Sequence, residues 1–250
     1  MTGGAGREAF YDAYWRAERV TDSPHQRWKI AALEDTLPRA AYCSILDVGA
    51  GDGVLLARVG APAARRVAVD LADDALAKIR ERGLEAVKAD FENDVLPFAD
   101  GTFDVTMCLD VLEHVFDPSS LLAEIARVTA PGGRVILAVP NAFNLANRLA
   151  YALGRHLDVM DVAHRTGATF SEHIRFFSEP VLNAMVAAAQ LRVVERKYYF
   201  PDELSDVGSA KVARLAARAV TLPRLHERLP SLFALGFFVV STCTRRSGYL

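Results

Sequence analysis

The residues of this 250-residue chain that are best suited to chemistry are a glycine-rich turn and the carboxylates that follow it. The turn spans residues 45–53, where an apolar run, Ile-Leu-Asp-Val, leads into Gly-Ala-Gly-Asp-Gly. Glycines lack a Cβ atom, so the backbone can approach a ligand closely, and the helix expected after the turn would aim its first N–H groups at that ligand. Asp70 ends the next apolar run, where a carboxylate can accept hydrogen bonds from both hydroxyls of a ribose. The pattern predicts a binding site for a nucleoside.

The spacing of the glycines separates two kinds of nucleoside cofactor. A dinucleotide-binding turn reads GxGxxG and would place its third glycine at position 54, which is Val54. This turn reads GxGxG over Gly49, Gly51 and Gly53, with Asp47 two residues before the first glycine. A carboxylate at that place would repel a pyrophosphate and attract the ammonium group of a methionine moiety. The turn therefore favours S-adenosylmethionine (SAM) over NAD.

Two histidines are candidates for proton transfer. His114 follows a predicted strand at 103–109, and His173 lies in the run Ser-Glu-His-Ile-Arg-Phe-Phe. Histidine titrates near neutral pH, and a positioned base accelerates a reaction about 10²- to 10⁴-fold. Each histidine is a candidate catalytic base, and the alternatives are a structural imidazole and transfer by proximity without a protein base. The sequence shows no cluster of metal ligands, so no metal is predicted.

The elements that must position these residues alternate between strands and helices, which is typical of a parallel sheet. We predict strands at 44–48, 66–70, 86–89, 103–109, 134–139, 191–199 and 232–243, and helices at 7–36, 53–59, 73–82, 117–129, 178–189 and 209–220. Asp73 and Asp117 are predicted helix N-caps, and Asp104 a cap or turn residue at the start of a strand. Asp70, Asp90 and Leu109 end parallel strands, where ligands bind in such sheets.

Four motifs occur in the order that they have in the class I SAM-dependent methyltransferases. They are LDVGAGDG at 46–53, VAVDLADDAL at 67–76, KADFENDVLPFADGTFDVTMCLDVLEHVFDP at 88–118 and RVTAPGGRVILAVPN at 127–141. Over roughly residues 40 to 200 the chain resembles the small-molecule branch of that class, with its UbiG/UbiE-like and MetW-like proteins. The resemblance implies an α/β, Rossmann-like, seven-stranded and mostly parallel sheet flanked by helices, with the last strand antiparallel.

The resemblance also implies a set of cofactor-binding residues, which are Tyr11, Asp47, Gly49, Ala50, Gly51, Asp70, Leu71, Asp90, Phe91, Leu109 and His114. In this set the glycine turn and Asp47 hold the methionine end of SAM, and Asp70 takes the ribose. Asp90 accepts a hydrogen bond from the adenine amino group, and the Leu109 carbonyl lies near the amino group of the methionine. For Asp110 and Glu113, a solvated surface role and a functional role are alternatives.

We expect one domain over residues 1–250, with a SAM-binding core at 41–140. Residues 1–40 are predicted to form a helical lid in which Tyr11, Tyr14 and Trp15 group over the cofactor, because aromatic faces attract a sulfonium. The alternative is an amphipathic helix that only covers the sheet. The segments 141–177 and 200–231 are predicted insertions on the substrate side that form a cap.

Composition excludes several classes of partner. The chain has 29 Lys plus Arg and 31 Asp plus Glu, a net charge of −2, so broad nucleic-acid binding is not expected. Cys43, Cys108 and Cys243 are predicted to be reduced core thiols. The beginning of the chain lacks the apolar run of a secretory signal, and we expect a soluble, cytoplasmic protein that is a monomer or a homodimer. Basic residues recur on one helical face within 209–228, which predicts either a solvated surface or contact with an anionic substrate or a membrane surface.

The function predicted from the sequence is SAM-dependent methyl transfer to a small molecule, with O-methylation favoured. The acceptor is expected among anionic sugars, lipid-linked compounds or secondary metabolites. Residues 109–112, Leu-Asp-Val-Leu, do not match the [DN]PP[YF] motif of methyltransferases that act on nucleic-acid or glutamine amines. The alternatives are a MetW-like SAM-binding partner that regulates a biosynthetic enzyme and an NAD-dependent oxidoreductase.

Overall fold

The fold is that of a computed structural model, which describes residues 4–16, 23–37, 42–60, 64–92, 94–154, 173–200 and 225–244. The strands are β1 (Ser44–Val48), β2 (Arg65–Asp70), β3 (Glu85–Lys88), β4 (Phe103–Leu109), β5 (Thr129–Pro140), β6 (Leu191–Tyr199) and β7 (Gly236–Cys243). The helices are α1 (Gly4–Arg16), α2 (Pro24–Thr36), α3 (Asp73–Glu81), α4 (Pro118–Val128), α5 (Leu145–Ala152), α6 (Glu179–Ala188), α7 (Leu225–Arg228) and α8 (Pro230–Phe233). None of the helices in these ranges is both long and apolar enough to span a membrane.

The seven strands form one sheet in the order β3-β2-β1-β4-β5-β7-β6. The first five strands are parallel, and β7 runs antiparallel to both of its neighbours. From β1 the chain continues to β2 and β3 on one side of the sheet, and it then returns to β4, from which the remaining strands extend on the other side. A sheet of this kind opens a crevice where the order reverses, outside the carboxyl ends of β1 and β4. The predicted Rossmann-like fold with its antiparallel last strand is confirmed.

The core lies in two layers because successive strand residues face opposite sides of the sheet. On one side Leu46 and Val48 of β1 belong to a fully buried cluster that includes Ile125 of α4. On the other side Ile45 packs in a second buried cluster that includes Leu33 of α2. Strands buried on both faces read as continuous apolar runs, and this explains why the strand pattern was clear from the sequence.

Helix α2 is fixed at both ends, which matters because it reaches the carboxyl edge of the sheet. At its start, the Ser23 hydroxyl accepts a hydrogen bond from the Gln26 amide at 3.1 Å. At its other end, the Lys197 ammonium of β6 donates to the Ala32 carbonyl at 3.3 Å and the Thr36 hydroxyl at 3.0 Å. An N-cap and a cross-link to the sheet thus set the position of this helix.

Two predicted helical features are wrong. The helix expected at 53–59 is only a 3₁₀ turn at Leu56–Arg58. Gly53, the first residue of the expected helix, has a φ of 73°, and Gly60, just beyond it, has a φ of 79°, so both lie outside the helical region. Asp73 is the first residue of α3 rather than its N-cap, which is Ala72. The Asp117 cap is confirmed, because its carboxylate accepts from the two amides that follow Pro118.

Three further expectations differ from the structure or fall outside it. β7 begins at Gly236 rather than 232, because residues 230–233 form the short helix α8 with a proline in its first turn. Cys43 is exposed, whereas Cys108 and Cys243 are buried, and all three are free thiols. The helix predicted at 209–220 lies outside the described residues.

Candidate functional site

The glycine turn after β1 has the shape that its sequence predicts. Gly49 and Gly51 have φ values of 72° and 57°, which favour glycine. A Cβ at Gly49 would collide with the Val111 side chain, and one at Gly51 would collide with the indole of Trp15. The Gly51 amide donates to the Asp70 carboxylate at 2.8 Å. Asp70 therefore shapes the turn as well as facing the crevice.

Asp47 is a buried carboxyl group at the end of β1, with only 3% of its surface exposed. Burial, and then the neighbouring charge of Asp70, raise the pKa of Asp47 to about 8. Among the described residues no group donates a hydrogen bond to its side chain, although it lines the larger cavity of the crevice. The charge of Lys29 lowers the pKa of Asp47 but does not outweigh burial and Asp70, so a cationic ligand would stabilise the ionised carboxylate further. The Asp47 carboxylate and the glycine turn therefore fit the charged methionine end of SAM.

A small cavity of about 130 Å³ lies beside Asp70, beneath α1. It is lined by predicted adenosine-side residues together with residues of α1, which are Arg7, Tyr11, Tyr14, Trp15, Asp70, Leu71, Asp90 and Phe91. Within α1, Tyr14 contacts both Tyr11 and Trp15 edge to face, as expected from their grouping in the sequence. The Asp90 carboxylate, however, is bonded by the Arg7 guanidinium at 2.9 and 3.2 Å. The sequence did not identify Arg7.

A larger cavity of about 750 Å³ adjoins the first one and connects the glycine turn to both candidate bases. Asp47, Ala50 and Leu109 line it on one side, and His114 and His173 line it on another. The two imidazole rings lie 4.8 Å apart between centroids and meet at 73°. The fold thus brings together two histidines that are far apart in the chain.

Glu113 joins the two histidines. Only 1% of Glu113 is exposed, and its Oε1 lies 4.0 Å from Nε2 of His114 and from Nε2 of His173. Its Oε2 is buried without a hydrogen-bond partner. Its backbone carbonyl accepts from the amides of Ile174 and Arg175 at 2.8 and 3.0 Å, which holds the segment after His173 against the site. Glu113 is therefore part of the site rather than a solvated surface residue.

The electrostatics of this corner favour a neutral Glu113 and an ionised Asp110. Burial, and then the charge of Asp110, raise the pKa of Glu113 well above its usual value. Burial alone would raise the pKa of Asp110 as well, but Lys29 and His25 outweigh it and lower the pKa. Lys29 forms an ion pair with Asp110, and both residues line the larger cavity.

Three side chains in this corner also lie close enough together to bind one divalent cation. The ligand atoms of Glu113, His114 and His173 all lie within 4.8 Å of one another. The sequence showed no such cluster because His173 is remote from the other two along the chain. The same three groups can act without a metal, since a carboxyl beside two imidazoles can orient them and exchange a proton.

His25 and Lys29 were missed by sequence reasoning. They lie one helical turn apart on α2 and both line the larger cavity. Their spacing of four residues puts them on one helix face, which could have drawn attention to the pair. Asp104 has a structural role, but at β1 rather than as a cap or turn of its own strand: its carboxylate accepts from the amides of Cys43 and Ser44 at 2.9 and 3.0 Å.

The chain is similar to known methyltransferases in sequence. The family model described as "Methyltransferase domain" matches residues 46–137. A ubiquinone biosynthesis O-methyltransferase of Xanthomonas oryzae pv. oryzae (strain PXO99A) is 36% identical over 115 residues, which cover 42% of this chain and 48% of that protein. A protein of the same name from Burkholderia multivorans (strain ATCC 17616 / 249) is 30% identical over 157 residues, 61% of this chain and 66% of that protein. The chain spans about half the length of most of these curated relatives.

Solved structures show the same fold at low sequence identity. A SAM-dependent methyltransferase from Archaeoglobus fulgidus matches with a TM-score of 0.56 and 16% identity, covering 94% of this chain and 98% of that chain. An S-adenosylmethionine-dependent methyltransferase from Mesorhizobium loti matches with a TM-score of 0.55 and 20% identity, covering 85% of this chain and 96% of that chain. Together with the glycine turn, the buried Asp47 and the sheet order, the sequence matches identify residues 46–137 as a methyltransferase domain and support a class I SAM-dependent methyltransferase.

Proposed function

We propose that this protein transfers the methyl group of SAM to a hydroxyl group of a small molecule. The observation that carries the proposal is the larger cavity, in which Asp47 and the glycine turn share one space with His114 and His173. A methyl donor held by the turn and an acceptor held beside the histidines would therefore meet without crossing protein. The curated relatives that carry the name O-methyltransferase support oxygen as the acceptor atom.

The residues of the crevice would hold the cofactor by charge and by hydrogen bonds. When bound, SAM supplies an electrophilic methyl group on a positively charged sulfur. Asp47 would pair with the ammonium group of its methionine part. Asp70 keeps lone pairs for the ribose hydroxyls, because the amides of Gly51 and Ala72 each occupy one site on its two oxygens.

The histidines would handle the proton of the acceptor. His173 would take up the O–H proton of the acceptor on a ring nitrogen as the acceptor oxygen gains the methyl group that SAM would supply. His173 is about one quarter exposed in its side chain, so it is open to the cavity. Glu113 would orient the imidazole, and His114 is the alternative base at the same corner.

The acceptor is proposed to be a small molecule with a hydroxyl group near an anionic group. The support for the anionic group is the basic face in the sequence at 209–228, most of which lies outside the described residues. The cavity volume of about 750 Å³ lies within the range of small-molecule sites, about 300–1,000 Å³.

The experiment is a methyl-transfer assay with labelled SAM and a panel of small hydroxyl compounds, paired with calorimetry of SAM binding. His173→Ala should lower turnover by about 10²- to 10⁴-fold while the affinity for SAM changes less than twofold. Ser178→Ala, at a helix start that lines neither cavity, is the control and should leave both quantities unchanged.

Three outcomes would count against parts of this proposal. Unchanged turnover in His173→Ala would remove that residue as the base. Binding of SAM without transfer to any hydroxyl compound would favour a regulatory protein. Loss of turnover on chelation and its recovery with a divalent cation would assign Glu113, His114 and His173 to metal binding instead of proton transfer.

A further inference from the structure

Helix α1 lies across the adenosine half of the crevice, and one of its side chains occupies the carboxylate on which an adenine would depend. The Arg7 guanidinium bonds both oxygens of Asp90, at 2.9 and 3.2 Å, and also pairs with Glu92. All three side chains are largely buried, with 11% of Arg7, 19% of Asp90 and 11% of Glu92 exposed. Breaking one partner from such a pair leaves an uncompensated charge, so the contact is a strong attachment of α1.

The space left beneath α1 is too small for a nucleoside. The cavity there measures about 130 Å³, against about 300–1,000 Å³ for typical small-molecule sites. Tyr11 and Trp15 of α1 form one of its walls, and Asp70 and Phe91 face them. Because a nucleoside must bury most of its surface in this half of the crevice, α1 has to move before the ligand enters.

The other ion pairs of α1 are more exposed than the Arg7 pair. Glu8 pairs with Lys88 at 2.5 Å and Arg16 pairs with Asp74 at 2.9 Å, all at side chains that are at least one third exposed. Exposed ion pairs contribute about 0–1 kcal/mol each. None of the side chains described in α1, at residues 6–16, is fully buried. Lys78 also donates to the Trp15 carbonyl, and the Trp15 indole packs on Gly51, so these contacts hold the end of α1. Arg7 holds its start, at the carboxylate that is predicted to bind the adenine amino group.

We propose that Arg7 is an affinity-determining residue that holds α1 shut over the crevice by competing with the amino group of a nucleobase for Asp90. This inference rests on the proposed function, because it takes the ligand to be an adenine nucleoside. The guanidinium and the amino group are both hydrogen-bond donors directed at one carboxylate. The ligand and the closed position of α1 therefore compete for that carboxylate. The measured affinity is the affinity of the open form multiplied by the fraction of molecules that are open.

The test compares Arg7→Gln with Arg16→Gln, the same substitution at the other end of α1. Arg7→Gln removes the charge but keeps a long, helix-favouring side chain. We expect it to tighten the binding of S-adenosylhomocysteine about tenfold, mainly through faster association, and to tighten the binding of free adenosine by a similar factor. Arg16→Gln should change either affinity less than twofold. Calorimetry gives the affinities, and the change in tryptophan fluorescence gives the rates, since Trp15 packs on Gly51.

The outcomes separate this inference from the proposed function. Weaker or unchanged binding in Arg7→Gln, with a wild-type protein that binds S-adenosylhomocysteine, would overturn the inference alone. Equal tightening in both variants would also overturn it, because it would show a general loosening of α1. Binding in Arg7→Gln that is absent in the wild type would support it. No binding in any of the three proteins would overturn the proposed function together with the inference. Circular dichroism of each variant confirms that it is folded.

Discussion

Asp47 shows how one buried side chain can make ligand binding depend on pH. Its pKa is raised to about 8 in the empty protein, by burial first and by Asp70 second. A cation bound beside it would favour the ionised form. At neutral pH the empty site therefore holds a proton on Asp47 that must leave when an ammonium group arrives.

We predict that the binding of SAM tightens as the pH rises from 6.0 to 7.5, by up to about tenfold per pH unit. The window ends at 7.5 because the amino group of SAM itself begins to lose its proton near pH 7.7–8.0. Calorimetry in buffers of different ionisation enthalpy should show the release of nearly one proton at pH 7. Asp47→Asn should abolish both the release and the pH dependence. A wild-type protein without proton release would contradict the raised pKa.

At this scale the sequence revealed residues whose role depends on local chain shape but not those that depend on distant partners. Asp47, Gly49 and Gly51 lie within one short motif, so their juxtaposition follows from the turn. Arg7 lies 83 residues from Asp90, and Lys29 lies 81 residues from Asp110. No local pattern specifies such a pairing, because it requires the packing of α1 and α2 on the finished sheet.

Among the elements, α2 most directly couples local helix chemistry to the site. Its N-cap, Ser23, precedes His25 and Lys29, which face the larger cavity. Ser178 is the N-cap of α6 but its side chain makes no capping hydrogen bond. The two serines therefore form a matched pair for measuring the capping bond itself.

We predict that Ser23→Ala lowers the free energy of unfolding by about 1 kcal/mol, since it leaves the Gln26 amide without its acceptor. Ser178→Ala should change it by less than about 0.5 kcal/mol. Urea unfolding followed by circular dichroism measures both. If the two substitutions have equal effects, the Ser23 hydroxyl does not stabilise the start of α2.

Strands were easier to predict from the sequence than the segments between them. The strands at 44–48, 103–109 and 191–199 were placed to the residue. The first two are mostly apolar and are followed at once by Gly49 and Asp110, which mark their ends, and the third lies between Gln190 and Pro201. The helix expected at 53–59 failed because two glycines with positive φ enclose it, and the backbone conformation of a glycine cannot be read from its identity.

For the molecule as a whole, the carboxyl edge of the sheet contains buried carboxyl groups that line the binding crevice and destabilise the folded state when they ionise. Burial raises the pKa of three carboxyl groups there, those of Asp47, Asp70 and Glu113. An acid whose pKa is higher in the folded state than in the unfolded state, near 4, destabilises the fold progressively as the pH rises through that interval. For Asp47 the interval ends near pH 8.

We predict that Asp47→Asn makes the empty protein more stable than the wild type, and that the gain grows between pH 5 and pH 7.5. The slope should be at most about 1.4 kcal/mol per pH unit, because the amide carries no proton that can dissociate. Urea unfolding at several pH values, without ligand, measures it. A stability difference that is the same at pH 5 and at pH 7.5 would show that Asp47 is not a destabilising charge.

The place of β7 between β5 and β6 has a consequence for how the chain is made. Its residues, 236–243, are synthesised after those of the six other strands in the sheet. They nevertheless pair with 134–140 on one side and with 191–199 on the other. At about 5–20 residues per second, residue 243 is synthesised roughly 2–9 s after residue 199. Until then β5 and β6 present open edges, which can pair with another chain. We therefore expect association between nascent chains to be most frequent in those seconds, and to stop when β7 pairs with β5 and β6 and covers both edges.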